Sequence, residues 1–270
     1  MKKIKILFVC ASMKVGGAEK SLVNLLNLID YSKYDVDLLL LQKQGAFLKQ
    51  IPEQVKILEL KSRARALYNS ENRKIHEYLM SVIKYVVTFV ELIRWKEYDV
   101  LRAHRWKDIY SKLCENVEGM YDVVVAFQSG EPTYYAFDKV KSKRYVTFFH
   151  TDISNIKLAN EIERNYLKKA DLIATISTKC VESIRTEFPE LKGKVVCLEN
   201  LSSKKLITRL AGENQPEEFM GFKDCIKIVS VGRLVKLKGY DMVVDAAKIL
   251  RECRINFQWF IIGEGEERKA

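Results

Sequence analysis

Short runs of Val, Ile, Leu and Phe alternate along the chain with longer stretches whose apolar positions recur every three or four residues. The runs predict strands at residues 4–10, 36–41, 55–60, 123–127, 145–149, 172–176, 195–198, 226–231 and 257–262. The longer period predicts helices, clearest at 18–29, 75–95, 155–169, 178–188 and 240–251. Strands that are apolar throughout must be covered on both faces, and alternating helices supply that cover, so the expected class is α/β with doubly wound parallel sheets. The pattern breaks between Ser202 and Asp224, where Gly212, Pro216 and Gly221 interrupt a stretch of mixed charge. The expected organisation is a first domain over residues 1–201, an interdomain connection over 202–224, and the opening strand-helix-strand of a second domain over 225–270.

The stretch 75–93 tempts a transmembrane reading, but Glu77, Ser81, Lys84, Thr88 and Glu91 form one polar stripe at intervals of four and three. Ile75, Leu79, Val82, Val86, Val90 and Ile93 fill the opposite side. That is an amphipathic helix, expected to lay its apolar side on the core. Its surroundings are basic: residues 61–112 hold 12 Lys/Arg against 6 Asp/Glu. A solvated helical face accounts for this, and so does a cationic surface resting on an anionic membrane.

Composition narrows the ligand class. With 46 Lys+Arg against 35 Asp+Glu the chain carries +11, which favours phosphorylated metabolites, anionic headgroups or nucleic acid. No nucleic-acid recognition motif accompanies the charge, so a nucleic-acid partner is not expected. Six cysteines are scattered without a C-x-x-C pair, and His76, His104 and His150 lie at no ligand spacing from them, so no metal site is expected. Free thiols in apolar runs and the lack of a signal-peptide pattern predict a cytoplasmic protein.

In open parallel sheets ligands bind beyond the carboxyl ends of the strands. After the first strand comes Ala11-Ser12-Met13-Lys14-Val15-Gly16-Gly17-Ala18-Glu19, where Gly16 and Gly17 at a helix start can present backbone N–H groups to an anion. Paired glycines also make ordinary turns, and the absence of G-x-G-x-x-G argues against a dinucleotide oxidoreductase. His150 closes the strand at 145–149 and can donate to a sugar hydroxyl or phosphate, or serve as a hydrogen-bonded structural residue. Thr151 and Asp152 are expected to cap the next helix. Arg233 and Lys238 follow the strand at 226–231 and suit phosphate oxygens. Gly263 and Gly265 follow the strand at 257–262 and permit close backbone approach, or a plain turn. Asp35-Val36-Asp37 has the D-x-D form of metal-dependent sugar-nucleotide transferases, but Tyr34-Asp35-Val36 is echoed at Tyr98-Asp99-Val100 and Tyr121-Asp122-Val123, which reads instead as punctuation ahead of strand-like runs.

In order and spacing, these blocks resemble the bacterial glycosyltransferases of family 4, of the cell-surface polysaccharide type. The carriers are Ile6-Leu7-Phe8-Val9 with Gly16-Gly17-Ala18-Glu19, Tyr121 to Phe127 leading to Phe149-His150-Thr151-Asp152, Ala170 to Ser177, Val231-Gly232-Arg233 with Lys238-Gly239, and Ile262-Gly263-Glu264-Gly265 with Glu267-Arg268. The resemblance implies the GT-B fold of two Rossmann-like domains. It also implies transfer of a hexose from a nucleotide diphosphate sugar, such as a UDP-sugar, to a glycan or lipid-linked acceptor, with retention at the anomeric carbon and no metal or other cofactor. Arg233, Lys238, Gly16 and Gly17 would then bind the donor diphosphate, Gly263 and Gly265 would belong to a donor-domain loop, and His150 would be the catalytic contact to the sugar. Such enzymes work in the cytoplasm or peripherally on the inner face of the membrane. Two departures stand out: Asn200 is followed by Leu201 where the family has glycine, and the family's glutamate pair would lie after Ala270, as in a chain truncated at its carboxyl end. A non-catalytic sugar- or membrane-binding module is the alternative expectation.

Overall fold

A computed structural model describes residues 2–68, 75–158, 160–213, 216–219, 221 and 224–269. The chain divides into two compact units, one up to Ser203 and one from Lys204. In the first, β1 (Ile4–Cys10), α1 (Gly17–Leu28), β2 (Tyr34–Leu40), β3 (Lys56–Glu59), α2 (Ser62–Tyr68), α3 (Ile75–Arg94), α4 (Tyr98–Arg105) and α5 (Ser111–Leu113) follow one another, with a π-helical turn at Trp106–Tyr110 joining the last two. Then come β4 (Met120–Ala126), α6 (Glu131–Lys139), β5 (Lys141–Phe149), α7 (Asn160–Lys169), β6 (Leu172–Thr175), α8 (Thr178–Glu187) and β7 (Val195–Cys197). The second unit holds α9 (Lys204–Glu213), β8 (Ile226–Val231), α10 (Tyr240–Glu252) and β9 (Phe257–Ile262).

The first unit's strands form one parallel sheet in the order β3-β2-β1-β4-β5-β6-β7. The order reverses between β1 and β4, which pair from Ile6↔Val123 to Val9↔Ala126. Such a switch point opens a crevice at the strands' carboxyl ends, because the connections on its two sides leave in opposite directions. Alternate residues of β1 explain the burial on both faces: Leu7 and Val9 join Leu39, Val124, Trp106, Tyr110 and Tyr134 in one cluster. A second cluster gathers Phe149, Leu167, Ile173, Ile184 and Phe188. The fold is therefore α/β, Rossmann-like, as the strand pattern predicts.

Four sequence expectations change in detail. The helix at 75–94 forms, but its faces are reversed: Val82, Tyr85, Val86, Phe89 and Ile93 are exposed, Ile93 at 71%, while Glu91 on the polar stripe is 3% exposed. Amphipathic periodicity fixes that two faces exist; which one meets the protein depends on what the neighbours offer. Tyr98-Asp99-Val100 begins α4 and not a strand, and its Asp99 acts in the helix's first turn. The 202–224 stretch, expected to be irregular, contains α9. Asp152 does cap, but it caps a single 3-10 turn at Ile153–Asn155 by accepting from the Ser154 N–H.

Asp37 of the D-x-D sequence is buried and accepts a 2.7 Å hydrogen bond from the Tyr121 hydroxyl, with Lys5 at 4.0 Å. Its carboxylate ties β2 to β4 and is not presented to a cation. No group of three or more His, Cys, Asp or Glu suited to a metal occurs among the described residues.

Unit 2 pairs β8 with β9 in parallel, Ile226↔Phe257 through Val231↔Ile262. None of its described hydrophobic side chains is buried, and Met242 and Leu237 are largely exposed. Its strands and helix are placed by backbone hydrogen bonds more than by a core.

Candidate functional site

At the switch point the loops after β1 and β4 are stitched together by Gln128. Its Oε1 accepts from the Ala11 N–H at 2.9 Å and from the Cys10 thiol at 3.3 Å, and its Nε2 donates to Glu19 at 2.7 Å. The glycine loop is shaped from below as well. Gly45, at φ +122, brings its backbone so close to Met13 that a Cβ there would lie 2.0 Å from the Met13 carbonyl, so only glycine fits.

Gly16 precedes α1 and offers no side chain to cap it, which leaves the first-turn amides to solvent or ligand. The two glycines are not equivalent. A Cβ at Gly16 would meet the Glu19 carboxylate at 2.2 Å, whereas nothing lies within 4 Å of one at Gly17. Glu19 thus folds back over Gly16, and Gly17 is the glycine with open space. An anion approaching the loop must displace or share this carboxylate.

His150 lies just past β5, next to β4 in the sheet, so it shares the carboxyl edge with the glycine loop. Its ring stacks on Phe148 at 4.4 Å and leans on Phe127 at 4.9 Å. Neither ring nitrogen is hydrogen-bonded among the described residues. The Phe127 backbone and the Asn200 side chain lie near enough to favour the proton weakly, but burial dominates and pushes the pKa down to about 4. The imidazole is neutral at pH 7, with one donor and one acceptor uncommitted. Asn200 thereby enters the site, although Leu201 replaces the expected glycine. The Leu201 carbonyl is tied to α1 by the Asn24 side chain at 2.6 Å.

In unit 2, Arg233 and Lys238 are exposed on the loop between β8 and α10, and neither forms an ion pair among the described residues. Gly239 closes the loop in the left-handed conformation at φ +66. Gly263 and Gly265 explain how the loop is held. A Cβ at Gly263 would lie 1.8 Å from the Gly232 carbonyl oxygen, and one at Gly265 2.1 Å from that of Leu234. The Gly232 N–H donates to Ile262 at 3.0 Å and the Leu234 N–H to Glu264 at 2.9 Å. These glycines bring the backbone after β9 against the Arg233 loop.

Sequence reasoning missed Gln128 and a cluster of Arg102, Arg105 and Glu131 beside the same edge. Gln128 stands directly after the β4 run, a position as exposed to ligand chemistry as Gly16. The arginines' one sequence signal is their spacing of three on a short basic helix, which many solvated helices share.

No protein-family model matches the chain, and no curated protein sequence matches it. Among solved structures, Anabaena HepE in complex with UDP and glucose superposes with a TM-score of 0.53 at 16% identity, covering 97% of this chain and 61% of HepE. The HepE complex with UDP-glucose gives the same values. The chain therefore spans about three-fifths of the length of these neighbours, and the likeness establishes the fold.

Proposed function

We propose that the chain is the acceptor-side domain and the opening part of the donor domain of a retaining hexosyltransferase that uses a nucleotide diphosphate sugar. The observation that carries this reading is the switch point between β1 and β4, bordered by an uncapped helix start at Gly17 and a neutral His150. It occurs in a fold shared with HepE, a protein crystallised with UDP-glucose. Arg233 and Lys238 bind the donor diphosphate and stabilise charge on the departing phosphate. Gly16 and Gly17 take part through backbone N–H groups, and His150 donates to a hydroxyl of the transferring sugar. No metal is required, because the two cations supply the charge that a divalent ion would.

The acceptor is a glycan or a lipid-linked glycan of the cell surface, and the protein works in the cytoplasm, peripherally on the membrane's inner face. The exposed apolar stripe of α3 supports the membrane contact. No described helix is long and apolar enough to cross a bilayer.

Calorimetric titration with UDP-glucose tests the donor assignment. The chain is expected to bind saturably, and Arg233→Ala to weaken binding at least tenfold. Equal affinity in the variant removes Arg233 from the site. Failure of the unsubstituted chain to bind favours a non-catalytic sugar- or membrane-binding module.

A further inference from the structure

We propose that Glu19 is an autoinhibitory contact, latched by Gln128, whose carboxylate closes the glycine loop to anions and, on the donor reading given above, regulates that same loop. The carboxylate must leave before a phosphate reaches the first-turn amides of α1.

Glu19 is held from three elements. Its Oε1 accepts from Gln128 Nε2 at 2.7 Å. Gln128 in turn accepts from the Ala11 N–H at 2.9 Å through Oε1 and from the Thr133 hydroxyl at 3.0 Å through its backbone carbonyl. Ala11 follows β1, Gln128 follows β4 and Thr133 belongs to α6, so the latch is fixed by the sheet edge and not by α1. The second oxygen, Oε2, lies over Gly16, 2.2 Å from where a Cβ would stand. Helix α1 makes its first internal hydrogen bond from the Lys20 N–H to the Gly16 carbonyl, and Gly16 supplies no capping side chain. The amides of Gly17, Ala18 and Glu19 therefore keep the partial positive charge of a helix start.

The charge of Glu19 is not neutralised elsewhere. It forms no ion pair among the described residues, and its neighbour Lys20 is turned to Gln50 at 3.2 Å and over the Phe47 ring. Its field reaches the Cys10 thiol, which burial and then Glu19 push up to about 12. A carboxylate at a helix start is stabilised by the same N–H groups that would hold a phosphate, so the two compete for one position. An anion arriving while Glu19 is latched meets a like charge at close range. Once that charge is gone there is room, since nothing lies within 4 Å of a Cβ at Gly17.

Glu19→Gln removes the charge and keeps the latch, because an amide oxygen replaces the one that Gln128 holds. In the full chain carrying Arg233→Ala and Lys238→Ala, which silences the loop of unit 2, inorganic pyrophosphate is titrated by calorimetry with and without Glu19→Gln. Binding about tenfold tighter is expected with the glutamine, and the advantage should shrink as salt is raised, since like-charge repulsion is screened. The amide resonances of Gly17 and Ala18 should shift along the same titration. The proposal is overturned if the glutamine variant binds pyrophosphate no tighter or not at all, or if binding tightens without movement of those resonances. UDP-glucose, titrated with Arg233 and Lys238 intact, separates the two readings. Saturable binding that Glu19→Gln does not tighten overturns the latch and leaves the donor assignment standing. Tightened pyrophosphate binding in a chain that takes no UDP-glucose keeps the latch and overturns the donor assignment.

Discussion

Two titratable residues of unit 1, buried Glu163 and half-buried His150, oppose each other in pH dependence. Burial lifts Glu163 from 4.5 to about 7, against a hydrogen bond donated by Tyr134, and lowers His150 from 6.5 to about 4. For Glu163 the folded state holds the extra proton, so its contribution to stability is present below pH 4.5 and is lost as pH rises through 7. For His150 the unfolded state holds it, so its contribution is present above pH 6.5 and is lost as pH falls through 4. Each shift is worth about 3 kcal/mol at full extent. Between pH 4.5 and 6.5 the two slopes offset. Glu163→Gln keeps the acceptor for Tyr134 and should uncover a urea midpoint that rises from pH 4 to 6.5. His150→Phe should uncover one that falls from pH 4.5 to 7. Flat profiles in both variants would show that neither group is held as buried as the structure places it. The sequence marked His150 by its position after a strand, but its neutrality comes from Phe127 and Phe148, which the fold brings to it. Nothing in the sequence marked Glu163, since its surroundings are made by α4, α6 and α7.

At the scale of elements, α3 separates what periodicity can and cannot say. Residues 82, 85, 86, 89 and 93 lie on one face at the spacing of an amphipathic helix, and Lys84, Thr88 and Glu91 on the other. Both faces were legible in the sequence. Their orientation was not, because Glu91 finds its place against the protein, with Arg94 3.9 Å away, and the apolar side is left outward. Exposed Arg94 and Lys96 at the helix's end give the stripe a cationic border that complements an anionic bilayer. Phe89→Ser with Ile93→Ser should reduce sedimentation with phosphatidylglycerol vesicles severalfold. It should change stability by less than about 0.5 kcal/mol, as expected for exposed positions. Vesicle binding that survives the substitutions would take this helix off the membrane. Strands were more legible than helices: each of the nine predicted runs corresponds to a strand, and for those of unit 1 the reason is that a buried parallel strand needs apolar residues on both faces. The short α4, α5 and α6 were missed since they are held by tertiary contacts, among them the Trp106 indole donating to Asp138 at 2.9 Å.

At the scale of the molecule, the buried hydrophobic side chains among the described residues lie in unit 1, from Leu7 to Val195. Limited proteolysis should therefore leave a resistant fragment ending near Ser203, and hydrogen exchange should protect β1 and β4 far longer than β8 and β9. Equal protection of both sheets would show that unit 2 has a core of its own. The sequence by itself determined the α/β class and the course of the strands. Each of these follows from local composition and period, which covalent order preserves. Only the tertiary structure decided which carboxylate covers Gly16, which face of α3 looks outward, and that Tyr68, Arg102, Arg105 and Tyr110 share a pocket. Those outcomes depend on which distant elements become neighbours, as when the order β2-β1-β4 brings residues more than a hundred positions apart to one edge of a sheet.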